Sequence, residues 1–481
     1  MHSPEPDQTR RAARPPRVPG HEHLTLEDGW ELARCAPDAC GPSELERLQW
    51  QAIPAPSTVA QALRQLGRWQ LGDSEDFDAH DWWFRTRFQA LPARPGEEVA
   101  LCLDGLASVA EVYLNGERLL DSASMFKAHE IDVTKRLLPE NELLIHCRAL
   151  GELLRARRTP RARWRTRLVA NGNLRFFRTM LLGRAPGFAP APAAVGPWRP
   201  VRLERRSEVR IDRLALRTRL CGADGVLEVQ MGMRTLSKDA VNEVTLELSG
   251  PSGSHRCVLE LAAQEGSASG ELVIPAVARW WPHTHGDPAL HDVHLHVSGP
   301  HGQITIPAGR VGFRELAPGS DPAHRIEADG LDLHLNGVRI FARGAVWTPL
   351  DLAAPEASEA ALRSALEQVC EAGMNMLRIP GTSAYETPAF HDLCDELGLL
   401  VWQDFMFANM DYPIADEQFR EEVLSEVEQV LEQAAGRPSL TVLCGNSEVE
   451  QQVAMLGLDP AIARGELFGD LLPELIAASG L

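Results

Sequence analysis

The sequence predicts a multidomain protein of the class β plus α/β, in which two β domains precede a region of alternating strands and helices. The length of 481 residues exceeds one ordinary domain and suggests about three. Short alternating segments broken by turn residues fill the chain to about residue 316. After about Ile340 apolar strands alternate with helical stretches, a rhythm that is typical of βα units.

The first β region runs from about Trp82 to Leu203. Its segments 98–103 and 110–114 alternate apolar and polar residues, as half-buried strands do. Asn115 and Gly116 form the pair that tight hairpins favour. We therefore predict an antiparallel β domain here.

The second β region follows from Val209 to Leu316. Residues 226–231 and 244–248 alternate, and Gly-Pro turns stand at 250–251 and 299–300. About 100 residues with this pattern suit an immunoglobulin-like sandwich.

The α/β region predicts four strand-helix pairs. The strands are expected at residues 340–344, 375–379, 399–402 and 440–444, and the helices at 358–372, 388–396, 417–435 and 461–478. A (β/α)8 barrel needs eight such pairs. The pattern predicts a partial (β/α)8 TIM barrel, of which this chain holds the first half.

Charge argues against a nucleic-acid partner, because the formal net charge is -19 and phosphate binding needs clustered positive charge. The exception is the segment 155–178, which carries nine arginines. Two interpretations stay open for it: a solvated loop or inter-domain ion pairs, and an anion-binding surface. Nine cysteines lack a paired metal-ligand spacing, so we expect buried, reduced thiols and no metal.

The N-terminus lacks the apolar core of a signal peptide, and we expect residues 1–20 to be a disordered leader. No stretch reaches the roughly 18 apolar residues of a membrane helix. We therefore expect a cytoplasmic protein without a membrane partner.

Candidate functional residues stand where the predicted parallel strands end, the position of function in such barrels. They are Trp347 after the first strand, Arg378 after the second, Trp402 and Asp404 after the third, and Asn446, Ser447 and Glu448 after the fourth. Aromatic rings beside carboxylates suit a sugar site, since the CH faces of a pyranose stack on rings. The same residues could instead cap a barrel structurally.

Several blocks resemble the glycoside hydrolase family 2 β-mannosidases. In the α/β region they are GMNMLR at 373–378, CDELG at 394–398 and the distinctive WQDFMFA at 402–408. Upstream, DWWFR at 81–85, VYLNG at 112–116 and VGFR at 311–314 are similar to the family's β domains. The resemblance spans about residues 20–481.

The resemblance implies a domain order. Residues 21–205 would form a jelly-roll domain of the galactose-binding-like, sugar-binding type, and residues 206–318 an immunoglobulin-like β-sandwich. Residues 319–481 would form the first half of a TIM-barrel catalytic domain.

The resemblance also implies a retaining exo-β-glycosidase that hydrolyses terminal β-linked sugars without a cofactor. Glu448 matches the general acid/base, which protonates the departing oxygen and later deprotonates water. Arg378, Trp347, Trp402, Asp404, Asn446 and Ser447 would bind the carbohydrate substrate. The family places its nucleophile, a second Glu, after strand seven, and neither Glu386, Asp404 nor Glu450 matches its motif. We therefore expect this chain to be inactive alone.

This sequence departs from the family pattern at three places. Ser447 stands where the family has Asn, and residues 379–381 read Ile-Pro-Gly in place of Trp-Gly-Gly. Residues 174–178 stand where the family's jelly-roll loop brings Trp and Asp toward the site. These changes bear on mannose itself more than on glycoside hydrolysis.

Two further expectations concern partners and function. A half-barrel exposes apolar edges, which a homo-oligomer or a complementing chain would cover. The alternative function is a non-catalytic carbohydrate-binding protein or pseudoenzyme. Glu448 and the complete 402–408 block argue against it, since a pure binder has no need of an acid after strand four.

Overall fold

The computed structural model describes residues 16–187, 191–237, 241–262, 266–300, 302–318 and 332–480. Residues 1–15 of the expected disordered leader lie outside these ranges. Val18, in the remainder of that leader, is only 4% exposed and packs into the core of the second β region. The prediction of a leader that extends to residue 20 is therefore wrong at its end, because an apolar side chain anchors residue 18.

The first β region contains two main sheets and a short two-stranded one, in the orders β1-β12-β5-β9, β3-β2-β4-β10-β7-β8 and β11-β6. A shared core that includes Trp30, Phe84 and Leu101 fills the space between them. The predicted Asn115-Gly116 hairpin is confirmed, because both residues have positive φ and connect β7 to β8. The strands are β1 Glu22–Thr25, β2 Trp30–Cys35, β3 Gln51–Ile53, β4 Asp81–Gln89, β5 Glu98–Leu103, β6 Leu106–Ala107, β7 Ala110–Leu114, β8 Glu117–Ser122, β9 His129–Asp132, β10 Glu140–Cys147, β11 Gly196–Pro197 and β12 Val201–Arg206, and the helices are α1 Val59–Gln65 and α2 Leu150–Leu153.

The second β region pairs two antiparallel sheets, in the orders β13-β14-β18-β17 and β16-β15-β19-β20. Alternate residues such as Leu227, Leu246 and Leu295 point into one core, where they are fully buried. This burial of every second side chain is what the alternating sequence predicts. The strands are β13 Val209–Cys221, β14 Asp224–Thr235, β15 Glu243–Gly250, β16 Gly253–Val258, β17 Glu260–Leu261, β18 Ser267–Ile274, β19 His291–Gly299 and β20 Gly302–Val311.

The α/β region is built on a parallel sheet in the order β24-β25-β26-β27. A small antiparallel sheet, β21-β22-β23, precedes it. Together with the β regions, these elements confirm a chain that is mostly β-sheet with helices. The strands are β21 Leu316–Pro318, β22 Leu333–Leu335, β23 Val338–Ile340, β24 Gly344–Val346, β25 Met376–Ile379, β26 Leu400–Asp404 and β27 Leu440–Cys444, and the helices are α3 Glu359–Glu371, α4 Pro388–Leu397, α5 Glu417–Ala434, α6 Val449–Met455, α7 Ala461–Glu466 and α8 Leu472–Ser479.

The first predicted parallel strand, at residues 340–344, is misplaced. Ile340 ends β23, which pairs antiparallel with β22 across a turn at Asn336 and Gly337. The side chain of Ile340 packs against Trp280, so the apolar run serves this hairpin. The parallel strand begins at Gly344, where a Cβ atom would collide with the carbonyl oxygen of Met376.

The last predicted helix, at residues 461–478, is interrupted. Gly465 has φ 40° and ψ 179°, which no helix accommodates. A π-helical turn at Leu467–Leu471 then leads into α8. Between β27 and these helices stands the separate helix α6, which the hydrophobic pattern did not reveal.

The cysteines are less uniformly buried than predicted. Cys102, Cys147 and Cys394 are buried, whereas Cys221 is exposed. Cys221 is the last residue of β13, where the strand leaves the core. Among the described residues, no helix has the length and apolar character needed to cross a membrane.

Candidate functional site

The candidate site lies where β25, β26 and β27 end. Arg378 and Trp402 are register partners in neighbouring strands, and the guanidinium carbon of Arg378 lies 5.2 Å from the centre of the Trp402 ring. Asp404 follows two residues later on the same face of β26, since side chains alternate along a strand. Three of the predicted residues therefore meet at one edge of the sheet.

Asp404 is the centre of this cluster and is fully buried. Its Oδ2 accepts hydrogen bonds from Arg378 Nη2 at 2.7 Å and from Ser447 Oγ at 2.5 Å. Its Oδ1 accepts one from Trp402 Nε1 at 2.9 Å. These donors occupy both carboxylate oxygens, so Asp404 positions its neighbours instead of offering an open acceptor to a ligand.

Ser447 ties the loop after β27 to the loops after β25 and β26. Its Oγ accepts a hydrogen bond from the Gly381 amide at 3.0 Å, and its own amide donates to the Phe407 carbonyl at 2.8 Å. The neighbouring Asn446 accepts from the Val449 amide at 2.9 Å through its side-chain oxygen. That bond satisfies one of the amides that every helix start leaves unpaired, here the start of α6.

Glu448 differs from its neighbours because its side chain is exposed. Its backbone has φ 59° and ψ 24°, a left-handed conformation that residues other than Gly, Asn and Asp rarely adopt. Within the part of the chain that the structure describes, no hydrogen bond holds its carboxylate. The pKa of Arg378 is raised, chiefly by its hydrogen bonds to Asp404 and partly by the nearby charge of Glu448.

The Trp347 amide donates to the Arg378 carbonyl at 2.7 Å, but the Trp347 side chain packs elsewhere. Its indole packs against Phe390, with ring centres 5.2 Å apart, and its Nε1 donates to Glu386 at 2.8 Å. Both contacts lie in the core shared by the sheet and its helices. Burial raises the pKa of Glu386, although the bond from Trp347 opposes the shift. The geometry thus gives no support to the prediction that Trp347 binds substrate.

Comparisons with known proteins identify relatives that span most of this chain. Residues 36–199 match the family model described as Glycosyl hydrolase 2 galactose-binding domain-like. Beta-mannosidase B of Aspergillus niger is 28% identical over 90% of this chain and 52% of its own length. That of Aspergillus terreus is 30% identical over 80% of this chain and 46% of its own. The chain is related to the family 2 glycoside hydrolases.

Solved structures agree. A β-D-mannosidase from Dictyoglomus thermophilum superimposes with a TM-score of 0.78 and 25% identity, over 95% of this chain and 56% of that one. A Parabacteroides merdae β-glucuronidase, at 17% identity and a TM-score of 0.69, shares the fold. The predicted resemblance to family 2 β-mannosidases is confirmed. The chain spans about half the length of the curated relatives it matches.

A buried ion pair, whose acidic partner sequence reasoning did not identify, supports the loop after β26. Arg178 and Glu426 are 2% and 0% exposed in their side chains, and Arg178 Nη2 lies 2.6 Å from Glu426 Oε1. Tyr385 Oη donates to the same carboxylate at 3.1 Å and accepts from the Met406 amide at 3.1 Å. Arg178 Nη1 donates to the Met406 carbonyl at 2.7 Å, which links the first β region to the site. The sequence signals were the arginine-rich segment that contains Arg178 and the family block that contains Met406; neither indicated Glu426.

The arginine-rich segment makes a second connection between the first β region and the site. Arg163 forms an ion pair with Asp411 at 2.7 Å, and Trp164 Nε1 donates to the Asn409 carbonyl at 3.0 Å. The Asn409 amide in turn donates to the Ser447 carbonyl at 3.0 Å. Inter-domain ion pairs, one of the two interpretations of this segment, are thus confirmed for Arg163 and Arg178.

One group of potential metal ligands occurs among the described residues, formed by the buried Cys102, Glu130 and Glu204. Arg206 donates to Glu130 Oε2 at 2.7 Å and to Glu204 Oε2 at 2.6 Å. Arg210 also pairs with Glu130, and Arg202 with Glu204, so three guanidinium groups surround the two carboxylates and the group is an ion-pair network.

Proposed function

We propose that this chain carries the acid/base part of a retaining exo-β-glycosidase of the β-mannosidase type, which hydrolyses terminal β-linked sugars. The observation that carries the proposal is the setting of Glu448. It is an exposed carboxylate on a left-handed turn, beside a fixed cluster of Arg378, Trp402 and Asp404. The similarity to β-mannosidases over 90% of the chain supports the same reaction class.

The proposal includes an architecture. The sheet β24-β25-β26-β27 would be the first half of a (β/α)8 barrel, because its strands follow in chain order and run parallel. Residues 21–205 would form the jelly-roll domain, residues 206–318 the immunoglobulin-like sandwich and residues 319–481 the barrel segment. The sheet orders of the two β regions support this division.

In the proposed reaction Glu448 first protonates the glycosidic oxygen of the leaving group and then removes a proton from the attacking water. An exposed side chain without a competing hydrogen bond can reach both positions. Trp402, which is half-buried, offers a ring face to the sugar, while Ser447 and Asn446 hold the loop.

The nucleophile requires a separate source. A retaining pair stands roughly 5 to 5.5 Å apart, and each carboxylate near Glu448 is already engaged. Asp404 is held by Arg378, Glu386 by Trp347, and Glu450 by Arg464 at 3.2 Å. We propose that the nucleophile stands outside these 481 residues, and that the chain alone does not turn over substrate.

A carbohydrate is the proposed substrate, and the proposed location is the cytoplasm, supported by the scattered spacing of the nine cysteines. A second copy or a complementing chain would cover the edge of the parallel sheet. Apolar side chains at that edge support this, since Phe341 is 75% exposed and Val346 58% exposed.

The test is a binding and turnover series on the purified chain with aryl β-mannoside, β-glucoside, β-galactoside and β-glucosaminide. We expect binding of the β-mannoside without hydrolysis, and altered binding in Glu448→Gln. The matched control is Glu450→Gln, because Glu450 is an exposed carboxylate two positions away. The control should bind as the parent chain does.

Three results would contradict parts of the proposal. Absence of binding to every glycoside by folded protein would remove the sugar site. Equal effects of both substitutions would remove the special role of Glu448. Turnover that Glu448→Gln abolishes would place a nucleophile within the chain.

A further inference from the structure

The segment 155–178 is the most basic part of an acidic protein. It contains nine arginines and no Asp or Glu, while the whole chain has a formal net charge of -19. Ion pairs explain only some of these arginines. Arg155 pairs with Glu152, Arg163 with Asp411 and Arg178 with Glu426.

The remaining six have no carboxylate partner among the described residues. Four of them are exposed on the surface: Arg157, Arg161, Arg165 and Arg167. The positive charge of this segment is therefore only partly neutralised by carboxylates of the described residues. Like charges so close together repel, which is a cost that an anionic ligand would remove.

Two arginines of the segment are held beneath this surface. Arg175 is only 3% exposed, its Nη2 donates to the Pro160 carbonyl at 2.8 Å, and its Nη1 is buried without a hydrogen-bond partner. Arg158 likewise buries an Nε that has no partner. Its guanidinium carbon lies 4.5 Å from the centre of the Phe177 ring. Burial lowers the pKa of both arginines, and the charges of Asp416 near Arg158 and Asp411 near Arg175 oppose this shift.

A buried guanidinium group without an ion-pair partner, such as that of Arg175, is unusual, because charges inside proteins are normally paired. The unpartnered Nη1 of Arg175 and Nε of Arg158 are enclosed, so they place positive charge behind the exposed arginines, which are the groups that an incoming carboxylate or sulfate oxygen would contact. Phe176 lies beside both, with its ring centre 4.6 Å from Arg175 and 5.5 Å from Arg158. The rings orient the guanidinium groups, which fixes the direction of their remaining donors.

The fold places this segment beside Glu448. Trp164 packs in one small core with Val449 and Val453 of α6, the helix that begins directly after Glu448. Thr166 Oγ1 donates to Gln452 Oε1, in the same helix, at 2.8 Å. Gln452 lies about one helical turn after Glu448. Arg165 and Arg167 flank Thr166, the residue bonded to Gln452. Of the exposed arginines, Arg165 and Arg167 therefore stand at the rim of the candidate sugar site.

We propose that residues 155–178 form a cationic rim that binds acidic groups on the aglycone side of the substrate, so that the substrate class is an anionic glycan bearing carboxylate or sulfate. This inference rests on the proposed function for the position of the sugar site. A nucleic acid is the less favoured anion, because a net charge of -19 repels a long polyanion that extends beyond the rim. A short acidic saccharide meets only the rim itself.

The rim is tested by isothermal titration of the full chain at low ionic strength with tetragalacturonate and with neutral mannotetraose. We expect the acidic saccharide to bind at least about tenfold more tightly. Several guanidinium groups contribute to its binding, and a tenfold change in affinity requires only a modest binding free energy. Raising the salt concentration should remove most of this preference. In the double variant Arg165→Gln/Arg167→Gln the preference should fall by about tenfold or more.

The matched control is Arg68→Gln/Arg94→Gln. These two arginines are exposed and have no acidic side-chain partner among the described residues, so the control removes the same charge from another surface. It should leave the preference unchanged. Circular dichroism of both variants checks that each is folded before the titrations are compared.

Several outcomes would overturn the rim. Equal affinity for the acidic and neutral saccharides would do so, as would an equal loss in the control. Inorganic sulfate binding as tightly as the saccharide would leave an adventitious ion only. Tighter binding of duplex DNA would make the surface a nucleic-acid site, and salt-dependent self-association in sedimentation would make it an interface between copies.

The rim and the proposed function can fail separately. Binding of aryl β-mannoside that depends on Glu448, without any preference for acidic saccharides, overturns the rim alone. A preference for acidic saccharides that Arg165→Gln/Arg167→Gln removes, without any effect of Glu448→Gln on glycoside binding, supports the rim and overturns the proposed function.

Discussion

Substitution of Glu426 by Gln is expected to loosen the contact between the first β region and helix α5. Glu426 is fully buried. Among the described residues its charged hydrogen-bond partner is Arg178, which donates to both carboxylate oxygens at 2.6 and 2.9 Å. Burial alone would lower the pKa of Arg178, but the charge of Glu426 reverses the shift and raises it. Glutamine would leave that guanidinium charged and buried without a counter-ion.

Removing one partner of a buried pair costs about 3–5 kcal/mol. Such a cost makes local opening roughly 10²- to 10⁴-fold more frequent. Hydrogen exchange followed by mass spectrometry reports this opening directly. Peptides from α5 and from residues 405–412 should exchange faster in the variant, whereas peptides from β13 and β14 should not change.

The matched control is Glu421→Gln, because Glu421 is exposed on the same helix. It should exchange as the parent chain does. The double variant Arg178→Met/Glu426→Leu should lose less stability than the sum of the single changes, since it removes both charges. Unchanged exchange of α5 in Glu426→Gln would refute the reasoning, and so would an equal effect of the control.

Three further predictions concern the site and its surroundings. Gly381→Ala should lower the midpoint of thermal unfolding, because the added Cβ would collide with the Phe405 and Phe407 carbonyl oxygens. The control Gly187→Ala, where the added Cβ meets open space, should leave the midpoint unchanged. Equal midpoints for the two variants would contradict the close contact at Gly381. Burial raises the pKa of Glu356 to about 7. The folded chain therefore holds a proton that the unfolded chain has lost, and stability should fall as the pH rises from about 4.5 to about 7. Urea unfolding across this range should show a flatter profile for Glu356→Gln, and a profile identical to the parent's would refute the assignment. Glu448→Gly should be at least as stable as Glu448→Ala in urea, because glycine adopts positive φ without strain; a clear loss relative to alanine would show that the turn is not strained.

Helices α3, α4 and α5 of the α/β region were predictable because their ends are encoded locally, unlike α6 and the interrupted helix after it. The side chains of Ser358, Thr387 and Asp416 cap α3, α4 and α5, and each accepts a hydrogen bond from an amide in the first turn. Gly398 ends α4 in the left-handed conformation. These signals need no knowledge of the tertiary structure, and the predicted ends at 358–372 and 417–435 lie within one residue of the observed helices.

The first strand and Trp347 were not predictable in the same way. Residues 338–341, Val-Arg-Ile-Phe, suit either a parallel strand or a hairpin, and only the tertiary structure, in which Ile340 shares a core with Trp280, decides between them. Trp347 was expected at the site because it follows the predicted first strand, at the end where function lies in such barrels. Its indole is instead held by Phe390 and Glu386, which only the tertiary structure brings to it.

The role of Asp404 shows a different limit. The sequence places it at the end of β26 beside a tryptophan, which is typical of a sugar-binding carboxylate. Its actual donors come from β25 and from the loop after β27, and only the register of the parallel strands brings Arg378 and Ser447 to it. Sequence reasoning could therefore predict which residues gather at the site but not which of them are already satisfied.

Glu448 itself gives the strongest reason to regard this edge of the sheet as functional. A residue other than glycine in the left-handed conformation costs of the order of 1–3 kcal/mol, and a side-chain hydrogen bond would be the usual compensation. Asn446 already caps α6, so the helix does not need Glu448 for that purpose. The turn is instead held by the backbone bonds of Ser447 to Phe407 and Asn409, and Asn409 is fixed by Trp164 from the first β region. Glycine or asparagine would satisfy such a turn at lower cost, so a glutamate with an exposed carboxylate favours a chemical role over a structural one.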